Sequence, residues 1–236
     1  MANARDRLTH LVELASQSAP EKSRALAIEL CDLLLDWPED YSRAMRAPFE
    51  ALMEKVVRGL DGPTRRLLVA RLAAGADTPV DLLNEFFFDV PSESKLVILA
   101  RNADISSAED DREPSVAAEQ SLLAAIRTPG VTDFESSLAE CLAVDGSTAS
   151  HILSDDRALA VACKAARLSR ATFSAIALVG SIDRGLESIR SRLESFEQVP
   201  EAGTARLLSY WRKRSERISP PEPETGKPDL GAYASA

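Results

Sequence analysis

The stretch DTPVDLLNEFFFDVP, Asp77 to Pro91, sets three phenylalanines side by side within an apolar pattern of helical period. At about 100° per residue, Leu82, Leu83, Phe86, Phe87 and Val90 share one broad face. Phe88 then points roughly 170° away from its centre, among Asp81, Asn84 and Glu85. A helix covered on one side only has no use for that third ring. Either helical layers cover both sides and all three rings find cover, or Phe88 meets a partner. Stacked layers favour cover; the alternative makes Phe88 a candidate partner-binding residue.

Helix signals continue in both directions. Leu8, Leu11, Val12 and Ala15 repeat at i, i+3, i+4, i+7. Ser18-Ala-Pro-Glu21 reads as a capping box opening a helix striped by Leu26, Leu30, Leu33, Leu34 and Trp37. Gly62 and Pro63 end one helix and open the next, Gly75 reads as a C-cap, and Thr78-Pro-Val-Asp81 as a further capping box. After Asn102–Ser115, an acidic and apolar-poor stretch, the pattern resumes with SVAAEQSLLAAIR and a capping box at Thr132-Asp-Phe-Glu135. Nowhere does period-two alternation with β-branched residues persist, so the expectation is an all-α fold without a sheet, its short helices paired in layers as an irregular α-solenoid. The expected organisation is an N-terminal helical half over 1–103, an acidic loop or linker over 104–115, a C-terminal half over 116–218 and a disordered, Pro-rich tail over 219–236.

A short repeat lies in the second half. CLAVDGSTA and CKAARLSRA align Cys141, Ala143, Ser147 and Ala149 with Cys163, Ala165, Ser169 and Ala171, an offset of 22 residues that sets His151 against Phe173.

Composition narrows the function. The chain has 236 residues, 5% aromatics and a formal net charge of −9, from 28 Lys+Arg against 37 Asp+Glu. Such a surface repels phosphate backbones unless a local basic patch intervenes. Cys31, Cys141 and Cys163 are odd in number, widely spaced and set among apolar neighbours; they read as buried free thiols in a reducing compartment. The start, MANARDRLTHLVEL, lacks a signal-peptide core, and TFSAIALVGSI is too short to span a bilayer. These features point to a cytoplasmic protein with no membrane segment.

Catalytic patterns are not found. Gly226-Lys227 is followed by Pro228 and cannot form a phosphate loop, and there is no Gly-x-Ser-x-Gly elbow. His151 with Cys141 and Cys163 lacks the paired spacing of a zinc site, and neither His10 nor His151 has an acidic surround for phosphotransfer. The carboxylate pairs Asp110-Asp111 and Asp155-Asp156 read as solvated or as helix caps. No catalytic residue, cofactor or metal is expected, and the chain is read as no enzyme.

The segments RLTHLVELA, RALAIELCDLLLDW and PTRRLLVARLAA, with LAECLAVDGSTASHILSDDRALAVACKAARLSRATFSAIAL and the closing RLLSYWRKR, resemble a bacterial domain-of-unknown-function family, DUF2336. The resemblance runs over most of Arg7 to Arg214 and departs at Asp104 to Ala118. That family is common in alphaproteobacteria and HEAT-like, so the resemblance implies a scaffold of stacked helix pairs and carries over no catalytic residue.

The closing helix supplies the functional expectation. Leu208, Trp211, Ser215 and Ile218 form one stripe, and Arg206, Tyr210, Lys213 and Arg217 form another on the opposite face. On an acidic protein that basic stripe is a candidate dock for an acidic protein surface. The leading reading is a non-catalytic interaction scaffold or adaptor whose partner is another protein. The alternative is a nucleic-acid-associated regulator using the helix–turn–helix-like hairpin at 156–177 with the basic last helix. It is the weaker, because its second helix offers Arg170 and otherwise Ala, Thr, Phe and Ser.

Overall fold

The computed structural model describes residues 20–38, 41–105, 116–127, 134–179 and 186–218. Over these the chain is all helical, without strands. Twelve α-helices are described: α1 (Pro20–Leu35), α2 (Arg46–Arg58), α3 (Gly62–Ala74), α4 (Val80–Glu85), α5 (Ser92–Ala103), α6 (Val116–Arg127), α7 (Phe134–Leu142), α8 (Gly146–Ser154), α9 (Asp156–Ala165), α10 (Arg170–Val179), α11 (Leu186–Gln198) and α12 (Thr204–Ile218). Two 3-10 turns, Arg43–Met45 and Phe87–Asp89, complete the set. The expected first helix, the Ser18 and Thr132 caps and the tail lie outside the described residues.

Three helices start in one way. Asp61 accepts from the Thr64 amide at α3, Asp145 from the Thr148 amide at α8, and Ser169 Oγ from the Thr172 amide at α10. Each cap follows an apolar residue (Leu60, Val144, Leu168), and each threonine is buried. A side-chain acceptor satisfies an amide that the first helical turn leaves unpaired. The cap hydrogen bond also holds the Asp61 carboxyl below the usual carboxylate range; at Asp145 burial pushes the other way, but the hydrogen bonds from Ser215 and then Thr148 together outweigh it and hold that carboxyl low as well.

These caps correct the register of the repeat. Ala143 (φ 55°) and Arg167 (φ 54°) both turn left-handed at a helix end. Around them Val144 N donates to Ala139 O, and Leu168 N to Cys163 O, the long bond of a Schellman turn. Matching turn to turn and cap to cap sets Ala143 on Arg167, Asp145 on Ser169 and Thr148 on Thr172, two residues beyond the 22-residue offset. His151 then aligns with Ala175 and not with Phe173. The cysteines misled because small apolar residues recur on any helix of such a stack, whereas turn geometry fixes position.

The buried residues form one contiguous core from Leu26 to Trp211, drawing on both halves of the chain. α9 lies at its centre, packed on α8, α11 and α12, with Ala158 through Cys163 at 0% exposure. α12 is equally central. It packs against α9, α5 and α4, so the closing helix of the pattern is an interior one.

The phenylalanine stretch departs from its expected form as well. The Thr78–Asp81 capping box does not form: Pro79 precedes α4, Thr78 Oγ1 is buried without a partner, and Asp81 faces outward. α4 ends at Glu85, because Phe86 adopts φ −100°, ψ 11° and the chain tightens into the 3-10 turn. Continuous 100° spacing therefore fails at Phe86. Phe86 and Phe87 enter the core, while Phe88 is half-buried against Trp211 and His151. The supposed polar face is also inside. Asn84 and Asn102 exchange amide hydrogen bonds (3.1 and 2.8 Å), and Glu85 is buried among arginines.

Gly75 does cap α3, but in extended conformation (ψ 123°). A Cβ there would press on the Leu35 and Thr78 side chains, so glycine serves close packing here and not a left-handed turn. Arg101 closes that loop by donating to Gly75 O (2.8 Å) and Thr78 O (2.6 Å).

Candidate functional site

The last helix carries the candidate residues, and its neighbours decide what they face. α4 packs against both α12 and α2. The three helices leave an open groove of about 470 Å³. Arg206, Tyr210, Lys213, Arg214 and Arg217 line one wall; Glu50 and Glu54 of α2 and Asp81 of α4 line the other. The expected stripe is thus brought together, opposite acids of its own chain.

Part of it is committed to the fold. Arg206 pairs with Asp81 (3.0 Å). Tyr210 donates its hydroxyl to Glu85 Oε2 at 2.9 Å, and Arg214 approaches Glu85 Oε1 at 3.4 Å. Arg58 of α2 completes the set around Glu85 and also pairs with Glu54 (2.5 Å). The Glu85 side chain is only 4% exposed, so these donors replace the water it has lost. Burial, and then the charge of Glu85, pushes the Tyr210 phenol well above its ordinary value and keeps it a proton donor. Arg206 and Tyr210 therefore serve the fold itself. The reason is that α12 is an interior helix with acidic neighbours.

Lys213 and Arg217 differ. Both are exposed, and neither has a hydrogen bond or ion pair among the described residues. Arg214 and Glu85 were missed by sequence reasoning. Arg214 lies one turn beyond Tyr210 and was findable from spacing. Glu85 was not, since its partner Tyr210 is 125 residues away. Phe88 does not line the groove; it stacks on Trp211.

The other candidates resolve as structural parts. Asp155 caps α9 through the Arg157 and Ala158 amides and pairs with Lys95, while Asp156 pairs with the buried Arg192 (2.8 Å). These carboxylates anchor α9 to α5 and α11. His151 is exposed on α8 against Phe88, apart from the buried thiols Cys141 and Cys163. No helix among the described residues is long and apolar enough to cross a membrane.

Against known proteins, the chain matches over residues 50–209 a family described as "Uncharacterised protein conserved in bacteria (DUF2336)". The chain belongs to the DUF2336 family. No curated protein and no solved structure matches it. The DUF2336 match takes in α3 through α11 whole and ends at Ser209, within α12, so it covers the Asp81–Arg206 pair but stops short of Lys213 and Arg217.

Proposed function

We propose that this protein is a non-catalytic helical scaffold that takes an acidic segment of another protein into the groove between α2, α4 and α12. One observation carries the reading: Lys213 and Arg217 stand exposed and, among the described residues, unpaired beside an open groove whose other charges are matched. Like charges one turn apart repel by a few tenths of a kcal/mol, which a carboxylate from a partner relieves. On a chain of net charge −9, such a spot directs an acidic segment to one place.

The HEAT-like arrangement we assign to the scaffold is supported by the recurrence of one cap and one turn in α7–α8 and α9–α10. Three free, buried cysteines support a reducing, cytoplasmic setting. For the nucleic-acid reading the geometry offers little: Ala158 to Cys163 are buried, and Arg170 pairs with Glu197 (2.9 Å).

The test is a titration of a labelled Glu/Asp-rich peptide at low salt, beside the variant Lys213→Glu/Arg217→Glu. Retained melting temperature with at least tenfold weaker binding, and loss of the same acidic protein from pull-downs, is the expected result. Equal binding by wild type and variant removes the groove from function.

A further inference from the structure

The groove holds one unmatched pair of cations, and the chain carries two acids a few residues further on. Arg206 pairs with Asp81, Arg214 with Glu85, Glu54 with Arg58 and Glu50 with Arg46. That leaves Lys213 and Arg217 exposed and, among the described residues, unpaired. Both lie in the last turns of α12, which ends at Ile218. At a helical rise of about 1.5 Å per residue they stand about 6 Å apart along the axis, Arg217 at the helix end.

The sequence that leaves this end is SPPEPET, 219–225. Pro220 and Pro221 are residues that stop a helix. Glu222 and Glu224 follow two residues apart, which is about 6 Å in an extended, Pro-rich chain. Laid back along α12, that spacing sets Glu222 on Arg217 and Glu224 on Lys213. Reach is ample, since the stretch from Ile218 to Glu222 spans up to about 12 Å. The other acidic stretch, 104–115, leaves α5 beside Gly203, at the opposite end of α12 and about 15 Å or more from Lys213.

Taking the groove as a site for acidic segments, we infer that segment 219–225 of the same chain is its resident occupant, and that a partner's acidic segment binds by displacing it. The contact is one of charge and not of packing, because the segment has no large apolar residue. A tethered segment acts at an effective concentration of about a millimolar. A contact with an intrinsic Kd of about 0.1 mM is then filled roughly nine times in ten and weakens a competitor about tenfold.

Cross-linking of the full chain reads the contact directly. A water-soluble carbodiimide joins an amine to a carboxylate that touches it, and mass spectrometry of the monomer band should find Lys213 joined to Glu224 or Glu222. Salt at about 1 M should remove that link. The labelled Glu/Asp-rich peptide gives the second reading: Glu222→Gln/Glu224→Gln should bind it about tenfold more tightly than wild type. Glu93→Gln/Glu187→Gln removes the same charge from exposed positions on α5 and α11 and should bind like wild type. A monomer band without the Lys213 link overturns the inference, as do links found only between two chains. So does equal binding by wild type and Glu222→Gln/Glu224→Gln; if Lys213→Glu/Arg217→Glu still abolishes that binding, the groove reading stands alone. A Lys213 link in a chain that binds no acidic peptide in any form keeps the contact within the chain and removes the groove as a partner site.

Discussion

The Phe88 ring stacks on Trp211, centroids 5.1 Å apart and planes 25° from parallel. Trp211 is fully buried and also meets Phe87 edge-on at 5.5 Å, so one indole holds two of the three phenylalanines. Phe88 is only half covered, and Phe88→Ala should cost about 2 kcal/mol, below the 3–5 typical of a fully buried phenylalanine. Urea unfolding followed by tryptophan fluorescence measures it. A change under half a kcal/mol would show that the stack contributes little and return Phe88 to the partner-binding reading.

Glu85 should be harder to replace. Glu85→Ala leaves Arg58, Tyr210 and Arg214 facing a buried gap, and a loss of about 2 kcal/mol is expected, discounted because Arg58 is half exposed. Loss of the same size from Arg206→Ala, whose partner Asp81 is 69% exposed, is not expected.

The same cluster sets an alkaline limit. The Tyr210 phenol is raised in the folded state, so folding favours its protonated form. That contribution is complete below the unfolded phenol value of about 10 and is lost as pH rises above it. Stability should therefore fall above about pH 10, and less steeply in Tyr210→Phe. Parallel slopes in chemical denaturation across that range would count against it.

Two glycines give a paired backbone test. Gly203 has φ +82°, and a Cβ there would strike Leu99 O and Ala103 N of α5; Gly203→Ala should cost about 3 kcal/mol or more. Gly146 opens α8 with nothing near its Cβ position, so Gly146→Ala should be neutral or gain about half a kcal/mol. Melting temperatures moving in the same direction would refute this contrast.

The cysteines supply a chemical readout. Burial pushes the Cys31 and Cys141 thiols up to about 11, and Cys163 beyond the ordinary range. At pH 8 the folded protein should resist thiol reagents and react fully only in denaturant. Rapid labelling of any one thiol without denaturant would place it outside the core.

What was legible in the sequence was local. Period, Pro and Gly breaks, and the Asp155 cap gave an all-helical chain, because each acts over one turn. The basic stripe was also readable, since helical spacing alone puts Arg206, Tyr210, Lys213 and Arg217 on one side. The break at Phe86 was hidden because the apolar pattern runs straight through a change from α to 3-10 winding. The burial of Asn84 and Glu85 was hidden for a different reason. A polar residue looks solvent-facing until its partner is known, and those partners, Asn102 and Tyr210, come from other helices.

The interior position of α12 has a consequence for how the molecule is made. Glu85 and Phe87 wait for Tyr210 and Trp211, synthesised more than a hundred residues later. While the chain emerges from the ribosome, α4 and α5 lack the neighbour that α12 supplies. The early helices therefore complete their packing only after Trp211 has been made, and until then they expose apolar surface of the kind that invites misassembly.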